Sequence, residues 1–111
     1  MAETVSIQEF SKLDLRVGKV LDVRDHPNAS KLYLLDIDLG PELGPRQTVA
    51  GLKPYMPPDA LKDQLVIVVA NLEPATVRGE RSEGMVLAAQ EGDNVVCLTV
   101  ASPLAPGSKV L

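Results

Sequence analysis

The chain has 111 residues, 45% apolar and 23% charged, and a net charge of −4. This size suits one domain with a single modest core, and the longest apolar run, Leu65–Ala70, is far too short to span a bilayer. The acidic balance argues against an indiscriminate nucleic-acid binder, whose affinity comes mainly from cations on phosphates, but leaves room for a local basic face.

Thr4 to Lys12 is expected to be a short helix. Ser6 can cap it, Glu9 completes a capping box, and Ile7 with Phe10 forms an apolar edge that must dock on this domain or on a partner. Leu13 to Asp25 follows as a long strand. Its alternation is disturbed after Gly18, which marks a bulge or bend of the kind a small barrel's first strand needs. His26-Pro27-Asn28-Ala29-Ser30-Lys31 is a turn. The second strand carries Tyr33, Leu35, Ile37 and Leu39 on one face and Leu34, Asp36 and Asp38 on the other, the clearest period-two signal present. Gly40-Pro41 ends it, and a loop closed by Gly44-Pro45 leads to a third strand, Arg46–Gly51.

The proline-rich segment Lys53–Asp59 cannot be strand interior, and Pro58–Lys62 is expected to form one helical turn. Leu65–Asn71, apolar on both faces, is a central fourth strand. A polar connection punctuated by Pro74, Gly79 and Gly84 leads to a hairpin of Gly84–Gln90 and Asn94–Val100 around Glu91-Gly92-Asp93. The tail, Ala101–Leu111, is rich in proline and ends on Val110-Leu111. Short strands at close turn spacing predict an all-β domain. The bent first strand and the helical turn after strand three favour a five-stranded Greek-key barrel, the OB-fold, with an N-terminal helix and a C-terminal extension. One domain covers 1–111, with its core over about 10–100.

Catalytic groups are few. His26, the only histidine, precedes a proline in a turn and reads as a hydrogen-bonding loop residue. Cys97, the only cysteine, lies on a β-branched strand and reads as a small core residue. No partner thiol exists for a disulfide, which fits a reducing cytoplasm. Asp36 and Asp38 read as a solvated strand face. The N-terminal residues lack the basic-then-apolar order of a secretory signal. Met1 favours a complete protein, although a fragment would look the same. Neither an enzyme, a metal site nor a cofactor is expected.

Binding groups concentrate between Val69 and Ala88. Asn71 offers an amide, Arg78 and Arg81 guanidinium forks, and Ser82 a hydroxyl, while Gly79 and Gly84 allow close backbone approach. Phosphates and base edges both suit this set. Glu73, Glu80 and Glu83 are interleaved, so the same residues also make a solvated turn. With only Phe10, Tyr33 and Tyr55 as aromatics, the chain is poorly equipped for stacking single strands, and a structured RNA read by shape fits better.

Several ordered motifs carry a resemblance. Asp14–Val20, His26–Tyr33, Asp38-Leu39-Gly40, Val49–Leu52, Asn71-Leu72-Glu73-Pro74, Arg78-Gly79 and Ser82–Met85 strongly resemble the tRNA-binding domain family. That family includes C-terminal domains of methionyl-tRNA synthetases, the endothelial-monocyte-activating polypeptide domain, stand-alone structure-specific tRNA-binding proteins and CsaA-type chaperones. The resemblance implies an OB-fold that binds tRNA by shape without catalysis, and points to Lys31, Asn71, Arg78, Ser82 and Met85 as its binding face. It also implies a homodimer, for which Ile7, Phe10, Leu104, Val110 and Leu111, within segments 1–12 and 101–111, are the interface candidates.

Glu73 stands where family members often carry lysine, and Ala75-Thr76-Val77 lacks cations often found there. Both departures weaken the electrostatic attraction. The leading expectation is a cytoplasmic tRNA-binding module, free or the C-terminal domain of a methionyl-tRNA synthetase, with a synthetase as a further partner. The alternative is a CsaA-like chaperone for unfolded preproteins.

Overall fold

The computed structural model describes residues 3–111. Its first element, α1 (Ile7–Phe10), begins with the expected capping box: the Ser6 hydroxyl accepts from the Glu9 N–H at 3.1 Å, and the Glu9 carboxylate accepts from the Ser6 N–H at 3.3 Å. The helix is shorter than Thr4–Lys12 and buries none of its residues. A single turn with no covered face gains too little to propagate.

β1 (Leu15–Asp25) belongs to two halves of the barrel. Its first half pairs antiparallel with β4 (Leu65–Val69), from Leu15 opposite Val69 to Lys19 opposite Leu65. Its second half pairs with β2 (Tyr33–Asp38), from Lys19 opposite Asp38 to Asp25 opposite Tyr33. The register slips between Val20 and Asp22, a bulge that lets one strand turn from one neighbour to the other. Gly18 lies just before this bend and serves close packing: a Cβ there would meet Ile37 Cγ2 at 2.6 Å. On the edge of β1 that β2 leaves free, the tail takes over, with the Val17 N–H donating to Ser108 O at 2.8 Å and the Val110 N–H to Leu15 O at 2.9 Å.

β3 (Pro45–Ala50) adds to β2, and β7 (Met85–Val86) adds to β4, giving the order β3-β2-β1-β4-β7. The two outer strands approach across a seam. There the Glu83 N–H donates to Gln47 O at 2.9 Å, the Val49 N–H to the Ser82 hydroxyl at 3.0 Å, and the Gln47 side chain to Arg81 O at 2.8 Å. The barrel is thus nearly closed, as the OB-fold expectation requires.

The alternating face of β2 fills the interior. Tyr33, Leu35, Ile37 and Leu39 pack with Val20, Leu52, Val66, Val68 and Ala70, and with Leu61 of α3 (Pro58–Leu61). The Tyr33 hydroxyl reaches Met56 O at 2.9 Å, which satisfies its polar end. Hairpin β8–β9 (Ala88–Glu91, Asn94–Cys97) turns where expected.

Two segments expected as loop are ordered. Gly40–Leu43 is a helical turn, α2, with proline in its first turn and the Gly40 N–H held by the Asp38 carboxylate at 2.8 Å. Within the polar connection, β5 (Ala75–Val77) and β6 (Glu80–Ser82) form a small hairpin of their own. Among the described residues no helix is long and apolar enough to cross a membrane.

Candidate nucleic-acid interface

The β1–β2 turn and the β5–β6 hairpin are bolted together by side chains. His26 is buried, 5% exposed, and its Nδ1 accepts from the Asn28 N–H at 2.9 Å. That acceptor role leaves the ring proton on Nε2, which donates to Val77 O at 2.9 Å. Asn28 in turn donates its amide to Arg78 O at 3.1 Å. Two successive carbonyls of the hairpin are therefore gripped by two residues of the turn.

The hairpin tip has an unusual conformation. Arg78 has φ 52° and Gly79 φ 88°, the paired positive angles of a two-residue type I′ turn. Asn, Asp or Gly normally occupies the first of these positions, and another residue pays about 1 kcal/mol for left-handed backbone. Arg78 and Lys31 line one open groove of about 500 Å³ with Asn28, Ala29, Ser30 and Leu32. Among the described residues neither cation has a carboxylate within 4.0 Å.

Met85 lies half-exposed on a second groove of about 370 Å³, lined also by Gly51, Tyr55, Val86 and Gln90. The two grooves adjoin, because a Cβ on Gly51 would lie 3.8 Å from Leu32 Cδ2. Tyr55 is the residue that sequence reasoning passed over. The available signal was an aromatic in a proline-rich loop that could not be strand interior.

Arg81 is exposed on β6, with its Nε 3.7 Å from the Glu83 carboxylate, and a surface pair of this kind is weak. Ser82 and Asn71 are placed differently. Ser82, 9% exposed, holds the Val49 N–H and itself donates to Gly84 O at 3.3 Å. Asn71 accepts from the Asp14 N–H at 2.8 Å and donates to Lys12 O at 2.6 Å, so its amide clips the α1–β1 linker to the end of β4. Neither lines the two grooves.

A second surface lies along α1 and the tail. Ile7, Phe10, Val110 and Leu111 line a groove of about 400 Å³ with Leu13 and Leu15. Leu104 lines an adjoining groove of about 500 Å³ with Ile67, Leu87 and Leu98, and the two share Leu15, Lys109 and Val110. Ile7, Phe10, Leu13, Leu104 and Leu111 are all exposed here.

Neither surface gathers catalytic groups. Among the described residues no three His, Cys, Asp or Glu side chains are placed to hold a metal. Cys97 packs against the core, and burial pushes its thiol above the usual range, away from the reactive thiolate. Arg16, on the first half of β1, is also buried; it pairs with Asp14 at 2.6 Å and donates to Gly107 O at 3.3 Å. Its hydrogen bond lowers the Asp14 pKa against the opposing effect of burial.

The barrel and its loop-borne cations define an OB-fold binding module. Residues 15–109 match the family described as the putative tRNA-binding domain, and the chain belongs to that family. It is 52% identical over 97% of its length to the methionine–tRNA ligase of Pyrococcus horikoshii and 48% identical over 96% to that of Thermotoga maritima. It spans only 15% and 16% of those two relatives, in their C-terminal regions and outside the catalytic domain. Among solved structures it superposes on a MetRS-related protein from Pyrococcus horikoshii with TM-score 0.90 and 30% identity, covering 99% of this chain and 100% of that one. The CsaA chaperone from Picrophilus torridus gives TM-score 0.89 and 34% identity, with 97% and 100% covered.

Proposed function

We propose that this module binds tRNA through the joined Lys31–Arg78 and Tyr55–Met85 grooves, as a free protein or as the C-terminal part of a methionyl-tRNA synthetase in the cytoplasm. The observation that carries this reading is the convergence of two unpaired cations from different loops on one groove. Phosphates are positioned by such cations, while a half-exposed aromatic and a methionine beside them suit an unstacked base. Arg81 extends the cationic edge. Asn71 and Ser82 contribute by holding backbone: Asn71 fixes the linker and Ser82 the seam from which Met85 projects.

The apolar surface of α1 and the tail supports a homodimer in which Ile7, Phe10, Leu104, Val110 and Leu111 are covered by the second copy. A helix with no buried residue gains its stability from such cover. Two grooves per dimer would bind one shaped RNA with far higher avidity than either alone.

A second reading has its own support. The groove of Leu15, Ile67, Leu87, Leu98 and Leu104 is almost wholly apolar, and a CsaA chaperone is among the closely superposing structures. On that reading the partner is an unfolded preprotein. Filter binding of unfractionated tRNA and of an unfolded precursor, each over a salt series, separates the two. The tRNA reading expects binding near 50 mM salt that weakens steeply as salt rises. Precursor binding without tRNA binding would replace it.

A further inference from the structure

His26 is a buried polar residue that neither the barrel core nor the proposed contact surface uses directly. Both its ring nitrogens are engaged, one within its own turn and one across to the hairpin. The cross-bond ends on Val77 O, the residue just before the left-handed Arg78. The bond within the turn sets the backbone of Asn28, whose amide then holds Arg78 O. One imidazole thus fixes both attachments of the hairpin tip. The base of the hairpin is held at the seam, where the Gln47 side chain donates to Arg81 O and the Ser82 hydroxyl accepts from the Val49 N–H. Among the described residues β5 has no such tie: it has three residues, Ala75 and Thr76 are exposed, and β5 and β6 form a sheet separate from the barrel. A two-stranded ribbon this short is marginal by itself.

We propose that His26 is a positioning residue that locks the β5–β6 tip onto the β1–β2 turn, so that Arg78 and Lys31 act as one paired anion site. The claim about RNA rests on the tRNA reading above; the claim about the hairpin does not. An imidazole suits the task because it is short, rigid and two-ended, accepting at Nδ1 while donating at Nε2. Its two functions can be separated by substitution. Asparagine places an amide oxygen as many bonds from Cβ as Nδ1, and so keeps the bond to Asn28. Glutamine places an amide nitrogen as many bonds away as Nε2, and so keeps the bond to Val77.

The experiment compares His26→Ala, His26→Asn and His26→Gln with the wild-type protein in two measurements. Amide hydrogen exchange of residues 75–82 needs no RNA. Fastest exchange at the tip is expected in His26→Ala, with His26→Asn and His26→Gln each keeping part of the wild-type protection through the one bond it retains; equal protection in all four proteins overturns the proposal. Filter binding to unfractionated tRNA is expected to weaken about tenfold in His26→Ala, with the salt slope reduced by about one, and to recover in part in His26→Asn and in His26→Gln. In an Arg78→Ala background, His26→Ala should have little further effect, since both act on the same contact. Additive losses, with equal loss in Ala, Asn and Gln, would make His26 a general stabiliser and overturn its positioning role. If wild-type protein binds no tRNA, the functional reading fails while the exchange result still decides what His26 does.

Discussion

The two surfaces of this domain are built on opposite principles. The groove between the β1–β2 turn and the β5–β6 hairpin is finished within one chain: His26 and Asn28 bond main-chain carbonyls, and among the described residues Lys31 and Arg78 face water without acidic partners. The flank of α1 and the tail is unfinished. Its helix buries nothing and its last residue, Leu111, is fully exposed. Hydrogen bonds are local and directional, so a polar site can be completed by a few well-aimed side chains. Apolar surface is stabilised only by area removed from water, which a four-residue helix and a short tail cannot supply to each other. On the reading proposed above, the first surface contacts a ligand and the second is covered by another copy of the chain.

Breaking the flank is expected to have the largest consequence. Combining Phe10→Glu with Leu111→Glu puts two like charges per chain into the surface that the second copy would cover. Light scattering should then report a monomer, and tRNA affinity should fall at least roughly a hundredfold through lost avidity, with groove residues untouched. A variant that stays dimeric places the contact elsewhere. A monomer with undiminished affinity would show that one groove suffices.

The seam tests whether Ser82 belongs to the scaffold or to the contact surface. Ser82→Ala leaves the Val49 N–H without its acceptor, and an orphaned buried donor costs about 1–3 kcal/mol. Urea unfolding should show that loss, with a smaller change in tRNA binding. The reverse pattern, affinity lost and stability kept, would move Ser82 from the seam into the ligand contact.

Legibility in the sequence divides along similar lines. Features governed by near neighbours could be read directly. The Ser6–Glu9 capping box, the inward face Tyr33-Leu35-Ile37-Leu39 and the β8–β9 hairpin each need only a few consecutive residues, and each forms. The β5–β6 hairpin escaped because its three-residue strands show no apolar alternation; Arg78-Gly79 was the only turn signal, and arginine is an unusual first residue there. The holding roles of Asn71, Ser82 and His26 were beyond reach, since their partners lie 59, 33 and 51 positions away along the chain. Motif likeness marked Asn71 and Ser82 without revealing that their polar atoms are taken up by main-chain groups of the same chain.

At the hairpin tip, stability and binding should move in opposite directions. Asparagine tolerates the left-handed backbone better than arginine. Arg78→Asn is therefore expected to raise stability by about 0.5–1 kcal/mol while weakening tRNA binding and lowering its salt slope by about one. Thermal unfolding and filter binding on the same preparation check both. A loss of stability would mean that the guanidinium supports the fold, against its unpaired position in the groove.

The smallest effect concerns the root of the flank, where charge does what apolar cover does not. Arg16 joins Asp14, just after α1, to Gly107 in the tail, and its hydrogen bond holds the Asp14 carboxyl below its ordinary value. Between the lowered folded value and the unfolded value of about 3.9, the unfolded chain binds more protons. The resulting stability is fully present above about pH 4 and disappears as pH falls through the folded value. Asp14→Asn removes it at every pH. The urea midpoints of wild type and variant should therefore differ most near neutrality and converge in acid. A gap that stays constant with pH would assign the contribution of Asp14 to its backbone and packing, leaving the tail attached to β1 by the main-chain hydrogen bonds and by the Arg16 bond to Gly107 O.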